Sequence, residues 1–177
     1  MKQLLLISDS HGEKERVQAI LKKHPQMDLY IHLGDLGFDP ACLQSFHIVQ
    51  GNHDPASYGL AKEKVIEVEE CRILLVHGHQ YEMRAISRVQ GIEKIETYGD
   101  FIRLLEEEIA LHAKEVGCHA VFHGHTHFPF DEVIHGVRVI NPGSLFFNRE
   151  DLTVSYACVK VDRNQLQCTF TSKALAK

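Results

Sequence analysis

The chain has 177 residues, of which 44% are hydrophobic and 24% charged, and this composition excludes a disordered or collagenous protein. Its net charge is −5 and it has no Lys/Arg block, so we expect no tight binding to nucleic acid. No apolar run approaches the ~20 residues of a membrane-spanning helix, and none is typical of a signal peptide. The five cysteines are scattered without a Cys-x-x-Cys pair. We therefore expect reduced thiols and a single cytoplasmic domain over residues 1–177, with no membrane partner.

Strands and helices alternate in the first half of the chain. Short apolar runs that end in polar turns predict strands there at residues 3–8, 28–33, 45–49, 64–68 and 72–77. A helix is expected at residues 13–23, before Pro25, and the last two of these strands should form a hairpin. The chain ends in a β-rich region, with strands predicted at residues 120–123, 130–135, 137–140, 144–147, 153–161 and 165–172.

The segment 82–116 has a helical pattern that we expect to be interrupted near Gly99, with Asp100 as a candidate N-cap of the second piece. Its acidic run 106–108 is interpreted as a solvated helix face. The first piece carries an apolar stripe that could face either the core or a partner, such as a second copy in a homo-oligomer: Met83, Ile86 and Val89. We expect this segment to shape substrate access or self-association more than the metal ligands.

Side chains that can bind a metal follow five predicted strands directly. They are Asp9, Asp35, Asn52, His77 and His125. The carboxyl ends of strands are where α/β sheets present ligands and substrates, so these side chains should meet at one edge. Glycine-flanked histidines accompany them at several of these turns, and turn preferences alone do not predict histidines there.

The complete candidate ligand set combines carboxylates, imidazoles and one amide: Asp9, His11, Asp35, Asn52, His77, His125 and His127. Mixed nitrogen and oxygen donors suit Mn²⁺, Fe, Zn²⁺ or Co²⁺ better than Ca²⁺ or Mg²⁺. Seven donors fit two ions about 3.5–4 Å apart that share one carboxylate. His79 is an alternative to His77, which is favoured because it stands at the strand end.

Six short motifs, in the order found there, resemble those of the calcineurin-like metallophosphoesterases. They are Asp9-Ser10-His11, Gly34-Asp35, Gly51-Asn52-His53-Asp54, His77-Gly78-His79, Gly124-His125-Thr126-His127 and Asn141-Pro142-Gly143-Ser144. The last is similar to a motif of the small single-domain prokaryotic branch. The resemblance spans roughly residues 3–147, and the full series of motifs is far more specific than any one of them.

The resemblance implies an α/β fold, a four-layer α/β/β/α sandwich of two mixed sheets flanked by helices. It also implies two divalent ions, with Mn²⁺ favoured over Fe, Zn²⁺, Co²⁺ and Ni²⁺. Asp35 would bridge them, and His53 would be the catalytic histidine beside the leaving-group oxygen. The first ion would be held by Asp9, His11, Asp35 and His127, and the second by Asp35, Asn52, His77 and His125. A hydroxide between the ions would attack phosphorus.

One position departs from the family pattern. Many members have Gly-Asp-x-x-Asp, whose second aspartate orients the catalytic histidine, but this chain has Phe38 there and Asp39 one residue later. The sequence leaves open whether Asp39, Asp54 or neither orients His53.

Rival functions are weaker. The His-x-His at 125–127 is followed by Phe128 and Pro129, which excludes the metallo-β-lactamase pattern. The chain is also too short for an amidohydrolase barrel of ~250 residues. A catalytically silent scaffold, as in the retromer subunit that resembles these enzymes, would lack His53. We therefore expect an enzyme acting on small phosphate esters, with an open site that favours phosphodiesters and accepts monoesters weakly.

Overall fold

Two mixed five-stranded sheets carry the fold of the computed structural model, which describes residues 1–89 and 97–175. The strands are β1 (Lys2–Ile7), β2 (Leu29–His32), β3 (Phe46–Ile48), β4 (Glu63–Val68), β5 (Cys71–Val76), β6 (Ala120–Phe122), β7 (Pro129–Ile134), β8 (Val137–Pro142), β9 (Thr153–Asp162) and β10 (Gln165–Ala174). The helices are α1 (Lys14–Lys23), α2 (Glu82–Val89) and α3 (Tyr98–Glu115).

The strand order is β10-β9-β1-β2-β3 in one sheet and β4-β5-β6-β8-β7 in the other. Strands β1, β2 and β3 run parallel, and so do β5, β6 and β8. Strands β9, β10, β4 and β7 pair antiparallel with their neighbours. Each sheet therefore contains three adjacent parallel strands, and the candidate ligands follow the carboxyl ends of such strands.

Both sheets are buried on both faces near their centres. In β1, Leu4 and Leu6 pack into the core between the sheets, whereas Leu5 and Ile7 face the layer that contains α1. Across the second sheet, α3 packs on its outer face, for example through Ile109. This alternation follows from the two-residue period of a strand. The layers are thus α/β/β/α, which confirms the expected fold.

Ten of the predicted strands are confirmed to within two residues at each end, but the strand predicted at residues 144–147 is wrong. There the Ser144 hydroxyl accepts hydrogen bonds from the backbone N–H groups of Phe146 and Phe147, and Ser144 N donates to Asn148 Oδ1. A side chain that captures nearby amides in this way competes with strand pairing. The segment is a loop beside the candidate site.

A second helix begins next to Gly99, as expected, because α3 starts at Tyr98. The helical segment differs from its prediction at two points, and the first is that the N-cap is Thr97. Asp100 instead completes a capping box, since its carboxylate accepts from Thr97 N while the Thr97 hydroxyl accepts from Asp100 N. Glu106 is fully buried, so only part of the acidic run is solvated.

The stripe on α2 points outward where the structure describes it. Met83 is 70% exposed and Ile86 37%, whereas Ala85 between them is buried. The side chain of Val89 lies outside the described part.

Among the helices of residues 1–89 and 97–175, none has both the length and the hydropathy needed to cross a bilayer.

Candidate metal centre

Hydrogen bonds between loops bring the strand ends of both sheets together. Asp9 N donates to the Gly34 carbonyl at 3.0 Å, which joins the loops after β1 and β2. His125 N donates to Asp9 Oδ2, also at 3.0 Å, so the loop after β6 meets the first sheet. His77 Nδ1 donates to the Leu33 carbonyl at 2.7 Å across the same junction. The candidate ligands are therefore held at one edge shared by the sheets.

One group of ligand atoms is formed by Asp9, His11 and His127. His127 Nε2 lies 3.1 Å from Asp9 Oδ1 and 3.3 Å from His11 Nε2. His127 Nδ1 donates to the Phe147 carbonyl at 3.0 Å. A backbone bond at one ring nitrogen fixes the tautomer and leaves the other nitrogen free for a metal.

A second group is formed by Asp9, Asp35 and His77. His77 Nε2 lies 3.3 Å from Asp35 Oδ2, 3.9 Å from Asp9 Oδ1 and 3.1 Å from Asn52 Oδ1. Asp35 Oδ2 is also only 3.7 Å from His11 Nε2 in the first group. Two ligand groups thus adjoin, with Asp9 common to both and Asp35 between them.

Asp9 shows that these residues fit a cation. Its carboxylate is fully buried, and Oδ2 accepts from the Ser8 hydroxyl at 2.5 Å and from His125 N. Oδ1 has no hydrogen-bond donor, because the His127 ring nearby is not aligned for one. A buried carboxylate oxygen without a partner is costly, and a divalent cation would satisfy it.

The local electrostatics point the same way. Burial raises the pKa of Asp9, but the charge of His77 and the close approach of the His127 ring outweigh it and hold that pKa below its ordinary value. Burial likewise lowers the pKa of His77, yet Asp9 and Asp35 raise it to about 9. The two carboxylates therefore favour positive charge between them.

Backbone strain is concentrated on the ligands. Five of the seven have a positive φ, in the left-handed region: Asp9 (50°), His11 (42°), Asp35 (57°), His125 (69°) and His127 (59°). Each such residue costs on the order of 1–3 kcal/mol and persists only where its surroundings impose it. Such outliers cluster at functional sites, which supports a role for this one.

Two glycines make the close approach of the loops possible. Gly34 has φ +99°, and a Cβ there would lie 2.7 Å from both His77 Nδ1 and Gly51 N. At Gly124 a Cβ would lie 2.6 Å from Asp9 Oδ2 and would overlap the Ser8 hydroxyl. Any side chain at either position would push ligands apart.

His53 stands at the mouth of the centre, with its side chain 67% exposed. Its Nε2 lies 3.9 Å from Asp35 Oδ2, and its ring centroid lies 5.3 Å from that of His11. Its backbone N–H donates to Asp35 Oδ1 at 2.8 Å, so the main chain is fixed while the imidazole reaches solvent. This placement suits contact with a bound substrate.

Neither candidate aspartate bonds to the His53 imidazole. Asp39 caps a short 3₁₀ helix by accepting from Ala41 N. Asp54 is buried, and its carboxylate accepts from three backbone N–H groups at 2.8 Å: those of Asp35, Leu36 and Gly51. Asp54 therefore ties the loops after β2 and β3 together, a role that the sequence alone did not reveal.

His125 lies beside the two groups, with its ring centroid 5.2 Å from that of His77. Its Nε2 contacts Glu82 Oε1 at 2.7 Å, so Nδ1 is the ring nitrogen left for a metal. His79 lies two residues beyond His77, on the segment after β5. Its Nδ1 is buried without a hydrogen-bond partner, and burial together with the charges of His77 and His125 lowers its pKa to about 4.

Two acidic residues of segment 82–116 also contact the loop that carries His125 and His127. Glu82 begins α2 and meets His125, while Glu106 of α3 lies 2.5 Å from His123 Nε2. The sequence alone does not identify Glu82 or Glu106 as residues near the site, because an acidic residue on a helix usually faces solvent.

An open cleft of about 380 Å³ leads to the centre. Its walls are formed by His11, Asp35, His53, His125, His127, Phe146, Phe147 and Arg149. The last three were not predicted as site residues. Phe146 and Phe147 lie in the stretch that the sequence predicts as a strand, and Arg149 lies just beyond it. The folding of this loop over Asp9 brings them to the cleft.

Comparison with known proteins agrees with this geometry. Residues 1–164 match the model of the calcineurin-like phosphoesterase superfamily domain. The Bacillus subtilis protein named "Probable metallophosphoesterase YsnB" is 33% identical over 175 residues, 97% of this chain and 91% of that protein. A Streptococcus pneumoniae protein described as a predicted phosphoesterase has a TM-score of 0.77 at 22% identity, covering 96% of this chain and 88% of its own. Vps29 from Entamoeba histolytica, in complex with Zn²⁺, has a TM-score of 0.66 at 18% identity, covering 96% and 98%.

Proposed function

The chain belongs to the calcineurin-like phosphoesterase superfamily, and we propose that it hydrolyses phosphodiesters at a dinuclear metal centre. The observation that carries this proposal is the pair of adjoining ligand groups around the buried carboxylate of Asp9. One ion would leave several donors unused, whereas two ions with a shared carboxylate account for all seven.

The first ion would be held by Asp9, His11, Asp35 and His127, and the second by Asp35, Asn52, His77 and His125. Bound cations would supply a hydroxide nucleophile at neutral pH and would neutralise the phosphoryl oxygens. The donors suit Mn²⁺, with Fe, Zn²⁺, Co²⁺ and Ni²⁺ as alternatives.

His53 is the group of this chain placed to handle the leaving group. As the water oxygen bonds to phosphorus and the ester P–O bond breaks, the imidazolium donates its proton to the departing oxygen. The imidazole then regains a proton from solvent, which its exposed side chain reaches directly.

A diester is favoured over a monoester because the cleft beside the ligands is open to solvent and has a volume of about 380 Å³. A diester needs room for an organic group on each side of phosphorus, and an open cleft provides it. A monoester would make fewer contacts with the cleft than a diester, so it should be hydrolysed more slowly.

The second candidate function is a silent scaffold, favoured by the similarity of fold to Vps29. His53 distinguishes the two, because a scaffold has no need of an exposed imidazole beside the ligand groups. The test is to reconstitute the metal-free protein with Mn²⁺ and to compare bis(p-nitrophenyl) phosphate with p-nitrophenyl phosphate. We expect faster hydrolysis of the diester. Equal or faster hydrolysis of the monoester would contradict the diester assignment, and hydrolysis of neither would favour the scaffold.

A further inference from the structure

The loop 144–149 forms one wall of the metal cleft and is fixed to the ligands. Phe146 N donates to the Asp9 carbonyl, and Arg149 N donates to the His127 carbonyl, both at 3.1 Å. The same loop accepts the hydrogen bond from His127 Nδ1 through the Phe147 carbonyl. Whatever its side chains bind is therefore held at a fixed place relative to the metals.

Phe146 places an exposed aromatic ring on this wall. Its ring meets that of His11 edge-on, with centroids 5.5 Å apart, and is tilted against that of Phe147 at 5.2 Å, yet 42% of the residue remains exposed. The two phenylalanines also border a neighbouring cleft of about 700 Å³, which includes the apolar side chains of Leu152 and Leu175. A planar apolar group attached to a bound phosphate would have both a surface to stack on and space to occupy.

Arg149 adds a cation to the same wall. Its guanidinium lies over the ring of Tyr98, 5.8 Å from the centroid. Within residues 1–89 and 97–175 it has no carboxylate within 4 Å, unlike Arg88, Arg103 and Arg138, which each form an ion pair. An arginine that lines a substrate cleft without an internal partner is suited to a bound anion.

We propose that this wall is a substrate subsite that recognises a nucleotide-like phosphodiester with a second phosphate. Phe146 stacks on the base, and Arg149 binds the second phosphate. A diester carries a single negative charge, which the two metals would already neutralise, so Arg149 has a role only when the substrate has another anionic group. The inference rests on the proposed phosphodiesterase function.

The test uses three esters that share p-nitrophenolate as leaving group. They are methyl p-nitrophenyl phosphate, thymidine 5′-(p-nitrophenyl phosphate) and the 3′-phosphorylated form of the latter. With the Mn²⁺-loaded full chain, kcat/KM should rise at the first step by about 5- to 100-fold, the range expected for one base stacked on an aromatic ring. At the second step it should rise by about 3- to 10-fold, as expected for the net contribution of one hydrogen bond at an exposed arginine, and this gain should shrink at high salt.

Substitutions then assign each gain in kcat/KM to one side chain. Phe146→Leu should remove most of the first step, and Phe146→Tyr, which keeps the ring, should retain it. Arg149→Met should remove the second step, whereas Arg72→Met, at the far end of β5, should retain it. Calorimetry of thymidine 3′,5′-bisphosphate binding makes the same comparison without catalysis. Arg149→Met should lower the affinity for this compound by a similar factor.

Two outcomes would overturn the subsite. Equal kcat/KM for the three esters in the unsubstituted enzyme would show that neither group is recognised, while leaving the phosphodiesterase function intact. Gains that survive Phe146→Leu and Arg149→Met would place recognition elsewhere. Failure to release p-nitrophenolate from any ester would instead contradict the proposed function itself, and the subsite with it.

Discussion

The carboxylate of Glu106 on α3 lies 2.5 Å from Nε2 of His123, and both side chains are fully buried. The contact is close, although it is not aligned as a hydrogen bond. Asn141 Nδ2 donates to the Gly124 carbonyl and to the Thr126 hydroxyl, both at 2.9 Å, on the other side of the same loop. The loop that carries His125 and His127 is thus held between α3 and β8.

Replacing Glu106 by alanine should therefore destabilise the protein strongly. Removing one partner of a buried polar contact leaves the other group buried without compensation, which typically costs about 1–3 kcal/mol and more for a charged group. Urea denaturation of the metal-free protein measures this free energy. Glu107→Ala is the matched control, since Glu107 pairs with Arg88 at the surface and its loss should cost about 1 kcal/mol or less. Equal effects of the two substitutions would contradict a structural role for the buried pair.

Asp54 should matter for metal binding although it is not a proposed ligand. Asp54→Ala removes the acceptor of three backbone hydrogen bonds that fix Asp35 and Gly51. Each hydrogen bond to a charged group is worth about 1.5–3 kcal/mol, so the loop should relax and the metal content should fall. Asp39→Ala removes only the cap of a short helix and should leave the metal content near that of the unsubstituted protein. Elemental analysis of both variants tests this, and full metal occupancy in Asp54→Ala would refute it.

His53→Ala should keep the metals and lose rate. A general acid typically contributes ~10²–10⁴-fold, and the loss of kcat should be smaller when the leaving group is p-nitrophenolate, which scarcely needs a proton. Steady-state kinetics on p-nitrophenyl and alkyl diesters gives the comparison, with metal content measured on the same samples. An equal loss with both leaving groups would remove His53 from the role of acid.

His32 should make the stability of the metal-free protein depend on pH. It is fully buried between the Ser10 hydroxyl and the N–H of Gly34, and burial lowers its pKa to about 4. Because the unfolded chain binds the proton near pH 6.5, lowering the pH below that value favours unfolding, and the loss is complete near pH 4. Between pH 7 and pH 5 His32 should contribute a loss of about 2 kcal/mol, so the loss measured by urea denaturation should be smaller by about that amount in His32→Gln. The same pH effect in the variant would exclude His32 as its source.

The sequence was sufficient for much of the fold and for the ligand types. A strand that is buried on both faces has a continuous apolar run in its sequence, and a candidate ligand follows five of the predicted strands. The sequence alone therefore predicts β1 and the position of Asp9 just after it. The loop containing Phe146 was mistaken for a strand because its residues are apolar. Its conformation depends on Ser144, whose hydroxyl donates to the Asp9 carbonyl, a contact between residues 135 positions apart.

Long-range contacts also explain why other site residues were missed. Glu82 and Glu106 have the pattern of ordinary helix-surface acids, and nothing local distinguishes them from Glu107. Their partners, His125 and His123, lie on a distant loop. Spacing along the chain indicates which residues can bind a metal, whereas the residues that orient them become visible only after packing.

The most direct test of the dinuclear centre is the metal content of the reconstituted protein. After saturation with Mn²⁺ and removal of free metal, elemental analysis should give two ions per chain. Asp35→Ala should reduce this number nearly to zero, because Asp35 lies between the two ligand groups and is expected to bridge the ions. One ion per chain that persists in Asp35→Ala would contradict a shared carboxylate and the mechanism that depends on it.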